Sequence, residues 1–390
     1  MTKRLHSGAL EESGSMKEPS STSNRVVIAV ATAATCLYLT APAVRVAGLW
    51  TPTGPLNIGR VNPTATLLGD GRVIVAEGGG GGAAHYSELY DPNTGTWSLS
   101  GSLNGSHDWG RATPLADGRV LLVGGVGSAA AEIFDPGTGT WTPTSSMNID
   151  RGYHTVTLLL GGRVLVTGGA TQQYAVGNAW SAEIFDPVRG TWTFTAPMIV
   201  WRFKHTATLL TDGKVLVAGG RTRYGPEPVT ATAEIYDPMA DTWTATVGMT
   251  ARRGDHTATA LADGRVLVAG GFDFPGPQFV YFASAEIYDA ASQTWTGTGT
   301  MAESRAYHTA TMLGDGTVVV SGGQNDTPFA NVLSSAERWD PSTALWMSSG
   351  TMSHRQQSHA ATLLIDGTVL VVGGVGNDDP TRTELFVPSP

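Results

Sequence analysis

Four- and five-residue apolar runs recur along this chain at a regular interval, each closed by a pair of glycines. Val266-Leu267-Val268-Ala269 before Gly270-Gly271 is one, and Val318-Val319-Val320-Ser321 before Gly322-Gly323 is another. A run without polar alternation reads as a strand covered on both faces. Ahead of it stands a stretch that alternates small polar and apolar residues, as in His308-Thr309-Ala310-Thr311, joined through Asp315-Gly316. Asp-Gly between two such runs is a strong hairpin signal and predicts a two-residue type I′ turn. Ala336-Glu337, then Asp340-Pro341, then Trp346 follow downstream. The unit is therefore four strands, a to d, meandering through tight turns.

Seven copies are present. The hairpin position recurs at Asp70, Asp117, Gly161, Asp212, Asp263, Asp315 and Asp366. The strand-d tryptophan recurs at Trp50, Trp97, Trp141, Trp192, Trp243, Trp295 and Trp346, 44 to 52 residues apart. Units of this size must stack on their neighbours to bury a core. The seventh unit ends at Phe386-Val387-Pro388 without a tryptophan strand, whereas Trp50 precedes the first strand a. Leu49-Trp50-Thr51 is thus expected to pair beside Thr383–Phe386 and close the ring, leaving no open sheet edge.

The wording Arg-x-x-His-Thr-Ala-Thr-Leu-Leu-x-Asp-Gly-Arg-Val-Leu-Val-x-Gly-Gly, followed by Ala-Glu-Ile-Tyr-Asp-Pro and a spaced tryptophan, resembles kelch repeats. It is closest in style to bacterial kelch proteins related to the central domain of galactose oxidase. The resemblance runs from about Leu49 to the C-terminus. It implies an all-β, seven-bladed β-propeller. Members with this fold oxidise glycans, mutarotate sialic acid or dock proteins, so the fold leaves the activity open.

The first 43 residues differ from the rest. Arg25 precedes the apolar run Val26–Leu39, and Ala41-Pro42-Ala43 follows. A basic flank, a short apolar stretch and an Ala-x-Ala step read as a secretory signal peptide, with Met16 as an alternative start. Residues 44–390 would then form the mature propeller, secreted or extracytoplasmic. An uncleaved anchor is the rival, although a membrane span needs about 20 apolar residues. Without this leader the chain is one unit more negative than its formal −9. That balance argues against nucleic acid, or a membrane surface, as the partner of the mature domain. Cys36, the single cysteine, lies in the leader. The propeller therefore has no disulfide, no thiolate and no cysteine metal ligand.

Four sets of residues are candidates for chemistry. Arg151, Arg202, Arg253 and Arg305 open strand a, as does Arg60, while His107 stands there in the second unit and Arg355 sits one residue out of step. Converging guanidinium groups would clamp an anion. A glutamate opens strand c in every unit, from Glu88 to Glu384. That matching points instead to structural ion pairs. His154, His205, His256, His308 and His359 would hydrogen-bond neighbouring blades, because strand side chains face adjacent sheets and do not converge as metal ligation requires. Tyr153-His154 and Tyr307-His308 resemble the copper-ligand step of galactose oxidase, but that radical cofactor also needs a cysteine. The loops after Gly-Gly are long in units three to six and carry Trp180, Tyr224, Phe274, Phe282 and Phe329. Long loops on a rigid scaffold are where binding residues gather.

These observations point to a binding module that takes a glycan or a protein through one face, with no cofactor and no metal. The alternative is a cofactor-free, mutarotase-like enzyme using Arg, Glu and His at the mouth. A fully paired mouth favours the binder. An unpaired Arg with Glu or His across a concavity favours the enzyme.

Overall fold

The computed structural model describes residues 48–389, apart from 80–84, 172–179, 223–228, 277, 326–330 and 377–378. The expected leader, Tyr224 and Phe329 lie outside the described residues. Seven four-stranded antiparallel sheets form the structure, each in simple a-b-c-d order. Blade three shows the pattern: Thr155–Leu158, Val164–Thr167, Ala182–Asp186 and Thr191–Phe194. Strand a of each blade neighbours strand a of the next, and the seventh neighbours the first. The sheets therefore stand round an axis with strand a innermost. Every residue of every strand b is buried. Cores form between blades: Val164, Val166 and Phe185 of blade three pack on Leu115, Leu121 and Val123 of blade two. No blade has a core of its own, as the all-apolar strand b implies.

The hairpin turns differ from expectation. In Leu68–Arg72, Leu68 N–H donates to Arg72 O and Gly71 N–H to Leu68 O. Gly71 alone takes a positive φ, 89°. This is a three-residue loop, a type I turn followed by a left-handed glycine, in place of a two-residue I′ turn. The Asp70 carboxylate explains the choice, since it accepts the Arg72 N–H and fixes the right-handed turn that I′ would forbid.

The ring closes as the tryptophan spacing predicts. Leu49–Pro52 pairs with Thr383–Val387, Trp50 opposite Phe386. Their rings lie 5.0 Å apart, matching the strand c–strand d aromatic pair within blade five, Tyr288–Trp295, also 5.0 Å. Trp50 Nε1 donates to Ser349 O of blade six at 2.9 Å, the bond that Trp192 and Trp243 also make to the preceding blade. The first strand is thus interchangeable in role with a covalently continuous one.

Removing β-pairing residues 48–55 should lower the melting temperature sharply or cause aggregation. Trp50→Ala should cost about 3 kcal/mol, at the low end for a tryptophan because the ring is only partly buried. Unchanged thermal or urea unfolding of the shortened chain would show that the seventh blade is completed in another way.

Candidate functional site at the axial mouth

The repeat arginine is a structural element. Arg202 Nη2 donates to Glu234 Oε1 at 2.7 Å, and Nη1 donates to Gly219 O and Thr232 O. Glu234 in turn accepts the backbone N–H groups of Ile199 and Val200. The same set is built at Arg151–Glu183, Arg253–Glu286, Arg305–Glu337 and Arg60–Glu88. Arg151, Arg202, Arg253 and Arg305 are at most 1% exposed, so none reaches the open face. His107 takes the arginine's role in blade two, between Gly124 O and Glu132. In blade seven Gln356 fills the slot while Arg355 points to Asn331, and His354 and Ser353 serve Glu384.

The Gly-Gly pair joins one blade to the next. Gly220 N–H donates to Arg253 O of the following blade at 2.9 Å, and five other junctions repeat the bond. Both glycines of each pair take positive φ at these junctions. A methyl group on Gly219 would meet Arg253 O at 2.5 Å and the His256 ring at 2.6 Å, so both conformation and space require glycine here.

Four of the five histidines bridge blades as expected, and His154 does not. His205 Nε2 shares hydrogen bonds with Thr155 and Thr167 of the preceding blade, His256 with Thr206, His308 with Thr257 and His359 with Thr309. Burial drives the His256 imidazole down to about 3 and His359 to about 4, with the Arg253 charge adding to the effect at His256. His205 and His308 are lowered well below the ordinary value, again chiefly by burial.

Between the arginine and the histidine the repeat has a variable position that sequence motifs mark only at Tyr153 and Tyr307. It holds Asn62, Trp109, Tyr153, Lys204, Asp255, Tyr307 and Ser358, one per blade, every one at φ between 51° and 63°. Their backbones form a chain round the axis. Tyr153 N–H donates to Trp109 O, Lys204 to Tyr153, Asp255 to Lys204, Tyr307 to Asp255, Ser358 to Tyr307 and Asn62 to Ser358, at 2.8–3.3 Å. A non-glycine residue in this region costs on the order of 1 kcal/mol, and such conformations cluster at functional sites. The ring turns all seven side chains to the mouth of the axial cavity. A signal existed in the sequence: this is one of two adjacent varying places inside an otherwise near-constant phrase, the other holding Val61, Asp108, Gly152, Phe203, Gly254, Ala306 and Gln357.

The mouth has a definite chemistry. The Lys204 ammonium lies 5.0–5.5 Å from the centroids of Trp109, Tyr153 and Tyr307, and 3.0 Å from the Asp255 carboxylate. Asp255 also pairs with Arg221, which bonds the Tyr307 hydroxyl. Aromatic groups flank the mouth, with Trp109, Tyr153 and Phe203 on one side and Phe272, Tyr281 and Tyr307 on the other. The loops of blades five and six rise as small ribbons, Phe272–Asp273 with Val280–Tyr281 and Gln324–Asn325 with Asn331–Val332. Phe274 packs on Phe279 at the tip of the first, and Phe282 lies under the Arg253 guanidinium. Trp180 is half-exposed at the base of its loop. Of the loop aromatics anticipated from sequence, Trp180 is the open one, Phe274 and Phe282 are partly packed, and Phe279 is the exposed ring at the ribbon.

A profile of the kelch motif matches residues 202–250 and 305–353. The propeller carries kelch repeats. Similar curated proteins include mouse kelch-like protein 38, 27% identical over 46% of this chain and 37% of the relative. Kelch-like protein 36 of Rattus norvegicus is 30% identical over 42% of this chain and 25% of its own. Kelch-like protein terF of Aspergillus terreus is 24% identical over 55% and 47%. The matched region spans between about a quarter and a half of these relatives. Among solved structures, a fungal alcohol oxidase in complex with copper superposes with a TM-score of 0.73 at 20% identity, covering 88% of this chain and 77% of the oxidase. That likeness concerns the fold alone. The side chains of the kelch mouth do not fit a copper centre: the four histidines that line it are engaged with threonines of the preceding blades. Among the described residues no three His, Cys, Asp or Glu side chains converge.

Two measurements check this account of the kelch scaffold. Glu234→Leu should destabilise by about 3–5 kcal/mol, because it strands a buried guanidinium and two N–H groups. Arg202→Leu should cost less, since the Glu234 carboxylate it strands keeps the Ile199 and Val200 N–H donors and the freed carbonyl oxygens tolerate missing partners better; the reverse order would refute the assignment. The lowered imidazoles favour the folded state fully above their ordinary value near 6.5, and that contribution drains away as pH falls towards 4 and 3. Nitrogen NMR of the imidazoles should therefore find His256 and His359 neutral at pH 5, with the urea midpoint declining below pH 6.5. A protonated ring at pH 5 in the folded protein would contradict the burial.

Proposed function

We propose that this kelch propeller is a non-catalytic docking module that receives a protein partner at its axial mouth. One observation carries the reading: seven variable side chains are gathered at a single concave site by a backbone ring that does not depend on what they are. The repeat's arginine, glutamate and Gly-Gly positions are consumed by structure. Aromatic rings and the Arg111 and Arg221 guanidinium groups around a small well are the kinds of group that dominate protein interfaces. The kelch-like proteins matched by sequence support a protein over a glycan as the partner.

Acid–base chemistry at the mouth has little to work with. Lys204 and Arg221 are committed to Asp255, and the lining histidines are neutral and bonded. Arg111 makes no ion pair among the described residues, and the acid and imidazole near it, Glu77 and His154, are each 1% exposed and do not line the cavity. They cannot exchange protons with a molecule bound there.

The leader read from residues 26–43 extends the proposal to a protein that works outside the cytoplasm. N-terminal sequencing of exported protein should begin at or near Val44, and recovery of intact residues 26–43 in the membrane fraction would contradict it.

The docking face is tested with a photocrosslinking residue placed at Trp180, at Phe279, or at Met239 on the opposite end of the propeller. Partner adducts are expected from the first two sites and not the third. They should weaken roughly 10-fold or more on Lys204→Glu, the scale of losing one interface anchor. Equal adducts from Met239, or saturable glycan binding with no protein adduct, would overturn the proposal.

A further inference from the structure

Blade two departs from the repeat at two places that face the axis, and blade one compensates. Where other blades have the first glycine of the pair, blade one has Glu77; where blades three to seven have histidine and blade one has Pro63, blade two has Gly110; where the others have the first strand-a threonine or alanine, it has Arg111. The first two changes are one exchange. A methyl group on Gly110 would meet Glu77 Oε1 at 2.5 Å, so the Glu77 carboxyl occupies the space a histidine fills elsewhere. It has no side-chain hydrogen bond, and burial holds it well above the ordinary carboxyl range against the pull of Arg111.

Arg111 is left over from this exchange. It removes the hydroxyl that would meet the next blade's imidazole, and both ring nitrogens of His154 are buried without a partner. The threonine in that position serves His205, His256, His308 and His359. Arg111 instead lines the axial cavity, whose volume is about 170 Å³. Nη1 donates to Gly110 O at 2.8 Å, the one hydrogen bond it makes among the described residues, and no carboxylate there lies within ion-pair distance. Burial lowers its pKa, which is the sign of a guanidinium kept from water without full compensation.

Charge in the well favours an anion. Asp255 is shared between Lys204 and Arg221, so that group of three is itself positive, and Arg111 adds a second positive charge, opposed by Glu77, whose carboxyl burial pushes toward the neutral form. The lining histidines are neutral. A net positive well in a chain of net charge −9 is a focused field. The fork of a guanidinium matches a planar carboxylate, and the rings of Trp109 and Tyr153 favour an organic body over a bare inorganic ion.

We propose that the axial cavity is a binding site for a small organic carboxylate, held by Arg111 and seated against Trp109 and Tyr153, with Lys204 supplying long-range attraction. The site deepens the reading of the mouth as a binding surface, but it needs no protein partner to be observed.

The test is calorimetric titration of the purified protein with propionate at fixed ionic strength, alongside propionamide, its neutral counterpart, and inorganic phosphate. Saturable one-to-one binding of propionate is expected, with propionamide and phosphate at least 10-fold weaker. Arg111→Thr restores the residue the other blades use and gives His154 a hydroxyl. That variant should melt at or above the parent temperature and bind propionate at least 10-fold more weakly. Arg111→Lys, which keeps charge without the fork, should fall between. Absence of saturable propionate binding in the parent, equal binding of propionamide, tighter binding of phosphate, or undiminished binding by a folded Arg111→Thr protein would each overturn the proposal. Because titration and crosslinking use different readouts, the carboxylate site can fail while docking stands, and the reverse.

Discussion

The buried ion pair between the opening of strand a and the opening of strand c governs the organisation of each blade. A guanidinium and a carboxylate withdrawn from water are costly unless every polar atom is served. Here nearly all are. The carboxylate caps the N–H groups of the segment arriving from the previous blade, and the guanidinium serves the carbonyl of the first Gly-Gly residue. The carbonyl of that same arginine then accepts the N–H of the preceding blade's second glycine. One residue thereby fixes the entry to a blade, the exit of its strand b and the contact with its neighbour. Histidine keeps these bonds in blade two, whereas in blade seven Ser353 and His354 serve Glu384 and the Gln356 amide is left without a side-chain partner.

The fold was legible in the sequence because its determinants are local and repeated. Apolar strand b, the Asp-Gly hairpin and the spaced tryptophan each appear several times over, and the missing eighth tryptophan strand identified the closure. The turn type was not legible, because Asp-Gly suits two hairpin geometries and the choice rests on the aspartate accepting the N–H two residues on. The arginines were seen as candidates for a ligand clamp or as ion pairs, and the matching glutamates pointed to the second. What remained hidden was the mouth. Tyr153 and Tyr307 stand out only through their Tyr-His step, and Asn62, Trp109, Lys204, Asp255 and Ser358 share no residue type, so no motif marks the position as a whole. All seven are united by backbone conformation and by position, which only the assembled ring displays.

Blade two shows how a repeat can be altered without harm to the scaffold. Exchanging glycine for Glu77 and histidine for Gly110 conserves volume across the junction, as compensating core changes do. The exchange converts a hydrogen-bonded imidazole bridge into a buried acid, and it leaves Arg111 projecting where the other blades have a short side chain. Structural constancy around it makes that single departure readable as a property of the site.

Because the axial residues are linked through N–H and C=O groups, which every residue at these positions possesses, the mouth offers seven slots whose backbone links do not depend on their side chains. Any residue that tolerates a left-handed backbone can occupy a slot without disturbing its neighbours' bonds. Charge, size and aromaticity at the centre of the propeller can then change blade by blade while the interblade latches stay fixed. A family built on such a ring can diversify its recognition surface by substitutions that leave folding untouched, and a designer could rewrite the mouth in the same way, one position per blade.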